Sequence, residues 1–120
     1  INKSKYKRRF LFLSGEDGTA LAFLAQGGQG CISVTANVAP KLCSEMHLAW
    51  RNRDLEKSQE INFKLANLHK VLFIESSPGP VKYAAHLLGL CEEHTRLPLT
   101  EIQEKTKITI KSCLEDIGLL

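Results

Sequence analysis

Residues 30–40 read GCISVTANVAP, a short apolar run that follows a glycine-rich turn and passes straight into Asn37, Ala39 and Pro40. The segment Cys31–Val34 is too short for a helix. Its unbroken apolarity, without alternation, predicts a strand buried on both faces, as in a parallel sheet covered by helices. Asn37 is placed to cap the next helix, and Pro40 is tolerated in that helix's first turn, where no intrahelical N–H bond is lost. A strand feeding directly into a capped helix is the junction at which α/β folds gather their ligands.

The same grammar occurs just upstream. FLFL, Phe10 to Leu13, is a second apolar run, closed by Ser14 and Gly15. Between the two runs, Asp17 is placed as a helix cap and Ala20, Leu21, Phe23 and Leu24 supply an apolar face. Gly27 and Gly28 offer the backbone freedom that a helix end uses. The expectation is a compact βαβ unit with a right-handed crossover.

Everything after the second run reads as helix. Leu42, Met46 and Ala49 mark one apolar face. A longer helix starts near Asp54, with Ile61, Leu65, Leu68 and Leu72 stepping by four, three and four. SSPGP, Ser76 to Pro80, interrupts the pattern, and Pro80 suits the start of the next helix, which carries Val81, Ala84, Ala85 and Leu88 and stops near Gly89. RLPLT is a further connector. Thr100 and Gln103 have capping-box spacing before a final helix with Ile102, Thr106, Ile110, Cys113, Leu114 and Ile117 inward. Two parallel strands with one crossover make no stable sheet alone. The chain is therefore expected to be the C-terminal part of a longer α/β fold, with residues 1–53 ending the sheet or barrel and residues 54–120 forming a helical region.

At 120 residues, 43% hydrophobic and 24% charged, the chain has the length and composition of one soluble globular domain. No apolar run spans a membrane and no secretory signal is readable, so the cytoplasm is the expected compartment. The four cysteines, Cys31, Cys43, Cys91 and Cys113, are widely spaced without a C-x-x-C and are expected to be buried reduced thiols. The histidines, His47, His69, His86 and His94, show no ligand spacing with them, so no metal site is expected. Lys3, Lys5, Lys7, Arg8 and Arg9 crowd the N-terminus, yet only Tyr6 accompanies them and no second basic stripe follows. A solvated leader is expected there, not a nucleic-acid interface.

Candidate chemistry concentrates in the two strand-to-helix junctions, LSGEDG (Leu13 to Gly18) and SVTAN (Ser33 to Asn37). Gly15 alone reads as a turn residue. Glu16 and Asp17 are an acid/base pair or ordinary partners of a helix dipole. Ser33 and Thr35 are nucleophile candidates without a histidine at a readable triad spacing. GGQG, Gly27 to Gly30, precedes a strand instead of following one, so it is no phosphate loop. From the residues themselves, the sequence supports the end of an α/β enzyme fold and names no reaction.

The residues that carry a resemblance are the LSG-acid-D turn (Leu13 to Asp17), the GG-x-G turn, ISVTANVAP, the segment KVLFIESSPGPVKYAAHLLGL (Lys70 to Leu90), RLPLT and the terminal GLL. Together they resemble the seventh- and eighth-strand region and the C-terminal part of the dihydrodipicolinate synthase (4-hydroxy-tetrahydrodipicolinate synthase) family, over essentially the whole chain. Ser77 stands where that family usually has Asn before proline. The resemblance implies a (β/α)8 TIM barrel with three C-terminal helices, of which this chain holds the last two strands. It implies a class I aldolase-type lyase without a cofactor: a barrel lysine forms a Schiff base with pyruvate, and the enamine attacks aspartate semialdehyde in diaminopimelate and lysine biosynthesis. It further implies a homo-oligomer, a tetramer in the family. The family's Schiff-base lysine lies on strand six in an IKE-x-[ST]G-type motif, and its catalytic tyrosine, its carboxylate-binding threonines and its lysine feedback site lie upstream. None of those motifs occurs here, so no catalytic residue is assigned within the chain. The resemblance carries over Gly15, at the strand-seven turn, and Ile32, whose backbone faces bound pyruvate. The alternative is a non-enzymatic helical interaction module derived from such a barrel.

Overall fold

The computed structural model describes residues 10–120. The basic leader, Lys3 to Arg9, lies outside the described residues. Two short strands and five α-helices follow one another: β1 (Leu13–Ser14), α1 (Ala20–Ala25), β2 (Gly30–Cys31), α2 (Pro40–Arg51), α3 (Leu55–Val71), α4 (Gly79–Leu87) and α5 (Glu104–Asp116). The chain divides between Ser33 and Val34 into two compact units. Within the second unit α2 packs against α3.

In the first unit β1 and β2 run parallel, with Leu13 opposite Gly30 and Ser14 opposite Cys31. The Ile32 N–H donates to the Ser14 carbonyl at 2.8 Å, and the Gln29 N–H donates to the Phe12 carbonyl at 2.9 Å. Strands were expected over Phe10–Leu13 and Cys31–Val34; the regular ladder is shorter. A strand pair is defined only where two chains face each other, and the backbone at Val34 already has right-handed helical dihedrals. The apolar residues that the sequence marks for burial are largely bare here. Phe10 is 64%, Leu11 76%, Leu13 47% and Ile32 72% exposed.

Helix α1 begins after Thr19, without a side-chain cap. Asp17, expected to cap it, instead gives its backbone carbonyl to the Ala20 N–H at 3.1 Å, and its buried side chain turns toward β2. The helix ends in a glycine turn. Gly27 has φ +97°, its N–H reaches the Leu24 carbonyl at 2.9 Å, and the Gly28 N–H reaches the Phe23 carbonyl at 2.9 Å.

In the second unit α3 is the spine. Ile61, Leu65, Leu68 and Leu72 are all buried, as their four-three-four spacing requires. Against them pack Met46 of α2, Val81 and Ala84 of α4, and Ile110 and Leu114 of α5. Asp54 caps α3, its carboxylate accepting from the Lys57 N–H at 3.1 Å. Asn37 does not cap α2: Thr35–Asn37 form a 3-10 turn, and the Asn37 amide closes it by donating to the Val34 carbonyl at 2.9 Å. Pro40 nonetheless occupies the first helical turn, as its missing N–H permits. Helix α4 stops at Gly89, which adopts φ +73°, while the Leu90 N–H returns to the Ala85 carbonyl at 2.9 Å.

The Thr100–Gln103 capping box does not form, since α5 starts only at Glu104. The cap comes from far along the chain, where the Glu75 carboxylate accepts the Gln103 N–H at 3.0 Å. Hydrogen bonding holds Glu75 below the usual carboxylate range. A depressed folded pKa contributes stability that is fully present above the unfolded pKa and is lost as pH falls through the folded one. The melting temperature of wild type should therefore exceed that of Glu75→Ala at neutral pH. The gap should close once the pH drops below the ordinary glutamate range, and circular dichroism melts across pH 3–7 would record it.

Candidate functional site

Gly15 follows β1 and Ile32 follows β2, so the two residues singled out by resemblance both stand at the carboxyl ends of parallel strands, within the first unit. Gly15 is exposed, and a methyl group built on it meets nothing within 4 Å. No crowding among the described residues demands a glycine there. The Ile32 N–H is committed to the Ser14 carbonyl, while its side chain stands out from the pair.

Around them lies a small polar cluster. The Ser33 hydroxyl donates a short hydrogen bond to Asp17 Oδ1, and the Cys31 thiol faces the same oxygen at 3.9 Å. Ser14 Oγ donates to the Glu16 carbonyl at 3.0 Å and accepts from the Glu16 N–H at 3.1 Å, which tightens the turn through Gly15. Burial first, and the Asp17 charge second, push the Cys31 thiol up and keep it protonated. Glu16 and Asp17 do not form an acid/base pair. The Glu16 carboxylate is exposed and accepts the Gly18 N–H at 3.0 Å, whereas Asp17 is buried and turned to β2.

The nucleophile candidates resolve differently. Ser33 is a donor to Asp17, 16 positions away in sequence. In the second unit, Thr35 Oγ1 and His69 Nδ1 lie 2.7 Å apart across 34 positions, a pairing that no spacing rule could have found. Thr35 is fully buried, so no substrate carbon can approach its hydroxyl. The pair links the turn at Thr35 to the last turn of α3 and performs no attack.

The cysteines are all free, but only Cys43 and Cys113 are buried; Cys31 is half-buried and Cys91 exposed, contrary to the expectation of four buried thiols. Cys91 lies beyond the end of α4, where the chain leaves the core. Among the described residues no group of three His, Cys, Asp or Glu side chains is placed to hold a metal ion. No described helix is long and apolar enough to cross a membrane. The connector after α4 is fastened by polar contacts: Lys107 pairs with Glu93 at 2.9 Å and lies 5.2 Å from the centre of the Tyr83 ring.

Comparison with known proteins draws these features together. The model of the "Dihydrodipicolinate synthetase family" matches residues 1–117. A 4-hydroxy-tetrahydrodipicolinate synthase of Acidiphilium cryptum is 55% identical over 111 residues, which is 92% of this chain and 38% of that protein. Among solved structures, a dihydrodipicolinate synthase of Thermotoga maritima superposes with a TM-score of 0.95 at 41% identity, over 100% of this chain and 40% of that one. The chloride-inhibited dihydrodipicolinate synthase of Acinetobacter baumannii, complexed with pyruvate, gives 0.90 at 39% identity, over 98% and 40%. The chain thus spans about two fifths of the length of the relatives it matches.

Proposed function

The chain belongs to the dihydrodipicolinate synthetase family, and on that premise we infer that it is the C-terminal portion of a 4-hydroxy-tetrahydrodipicolinate synthase. On this reading it supplies the last two strands of a (β/α)8 barrel and the three helices α3, α4 and α5 that follow. The observation that carries the reading is the position of Gly15 and Ile32. Both fall inside the family match and both stand at the carboxyl ends of the parallel strands, where barrel enzymes bind their substrates.

The two residues form one wall of a pyruvate pocket. Gly15 lets a ligand approach the backbone closely, consistent with the open space at its Cα. The Ile32 N–H, tied to the Ser14 carbonyl, fixes the strand end that borders this wall. The covalent step belongs to a lysine that this chain does not contribute. Its amine adds to the pyruvate keto carbon, water leaves, and the resulting Schiff base loses a proton to give the enamine that attacks aspartate semialdehyde. The whole protein works as a homo-oligomer on these two substrates, without a cofactor.

Borohydride trapping tests the reading. The 120-residue chain mixed with pyruvate and borohydride should keep its intact mass. The same chain preceded by the upstream residues of a bacterial relative should gain one reduced pyruvyl group, on a lysine of the upstream part. A specific adduct on a lysine of the isolated chain would overturn the assignment of catalysis to the missing part. No adduct on the joined protein would overturn the enzyme reading.

A further inference from the structure

We propose that Asp17 is a positioning residue for the keto-acid pocket: from the loop after β1, its carboxylate holds the β2 backbone on both sides of Ile32. The proposal rests on the reading of Ile32 as a pyruvate-facing residue.

Asp17 is only 6% exposed, and a buried carboxylate is tolerated only when hydrogen-bonded. Its Oδ1 accepts from the Ser33 hydroxyl and faces the Cys31 thiol at 3.9 Å. Those two residues flank Ile32. In extended chain the side chains at 31 and 33 share one face while that at 32 takes the other. The burial agrees, with Ile32 72% exposed and Cys31 and Ser33 partly covered. The Ile32 peptide is thus fixed twice, through its N–H on the Ser14 carbonyl at 2.8 Å and through its neighbours' side chains on Asp17. Ser14 also closes the turn that carries Gly15, so one set of polar contacts sets both the strand-end glycine and the strand-end isoleucine.

Hydrogen bonds to an ionised group are worth more than neutral ones, and displacement of a binding group by a fraction of an ångström is enough to weaken a small ligand. Asparagine keeps an acceptor at Oδ1 and alanine does not. In a protein where this chain is preceded by the upstream residues of a bacterial relative, Asp17→Ala should raise the pyruvate KM by on the order of tenfold. Its kcat should stay within about threefold, and Asp17→Asn should recover most of the lost affinity. Ser33→Ala, which removes one donor and leaves the buried carboxylate in place, should shift KM in the same direction by less and guards against a misfolded Asp17→Ala. A role limited to stability would lower the amount of active protein, and so kcat, without moving KM. Unchanged pyruvate KM in both Asp17→Ala and Ser33→Ala, with wild type fully reactive, would overturn the proposal and leave the enzyme reading standing. A joined wild-type protein that forms no pyruvyl adduct would overturn both. In the 120-residue chain itself, amide exchange at Ile32 should quicken in Asp17→Ala and not in Asp17→Asn; equal exchange in all three would overturn the hold on β2 whatever the enzyme does.

Discussion

Leu68→Ala is expected to lower stability by about 2–5 kcal/mol, which is a large part of what a domain of this size possesses. Leu68 is 0% exposed and sits mid-way along the α3 stripe, flanked by Leu65 and Leu72, both also at 0%. Truncation removes three carbons from water-free packing and leaves a void that α2, α4 and α5 cannot close without moving as units. The melting temperature should fall by roughly 10 °C or more. Phe63 lies on the same helix but is 76% exposed, so Phe63→Ala should stay within about 0.5 kcal/mol of wild type. Thermal melts of the pair, followed by helical circular dichroism, separate a core loss from a helix-propensity effect. Equal shifts would contradict the assignment of α3 as the spine.

The second large effect is predicted at Gly28. A Cβ there would stand 2.1 Å from Phe23 Cε1, 2.2 Å from Phe23 Cδ1 and 2.9 Å from the Phe23 carbonyl oxygen. The ring can swing aside, since Phe23 is only half-buried. The carbonyl cannot, because it accepts the Gly28 N–H that closes the helix. Gly28→Ala should therefore cost about 1–3 kcal/mol, concentrated in the first unit. The damage should spread into β2, which starts only two residues later. Amide exchange at Ile32, whose N–H extends the ladder, should quicken. Phe23→Ala in the same background removes the two ring contacts and leaves the backbone one, so the double variant should recover part of the loss and not all of it. Full recovery would mean that the ring alone dictates glycine at this position.

The helices were legible because their signals are local and repeated. Ile61, Leu65, Leu68 and Leu72 announce a buried stripe by spacing, and Asp54 caps α3 as its position suggests. Asp17, Asn37 and Thr100 all have side chains suited to capping, but other partners decided otherwise, distant ones for Asp17 and for the start of α5 and a local one for Asn37. Asp17 went to Ser33, Asn37 to its own turn, and the start of α5 to Glu75, 28 residues upstream of Gln103. The strand segments were recognised by apolarity, yet their paired length depends on neighbouring chain that local pattern does not report. Within the candidate site, Gly15 and Ile32 were visible only through resemblance, and the Asp17–Ser33 contact joins positions that no periodicity links.

The division at Ser33 also sets an order of events during synthesis. The ribosome releases the strand pair first, with Phe10, Leu11, Leu13 and Ile32 still open to water. The helical core is completed only after Ile117 has emerged. At about 5–20 residues per second, the nascent chain spends several seconds with its stickiest segment displayed and its best-packed segment unborn. Whatever shields that segment, whether the barrel strands expected ahead of it or a chaperone, must act while the chain is still being made.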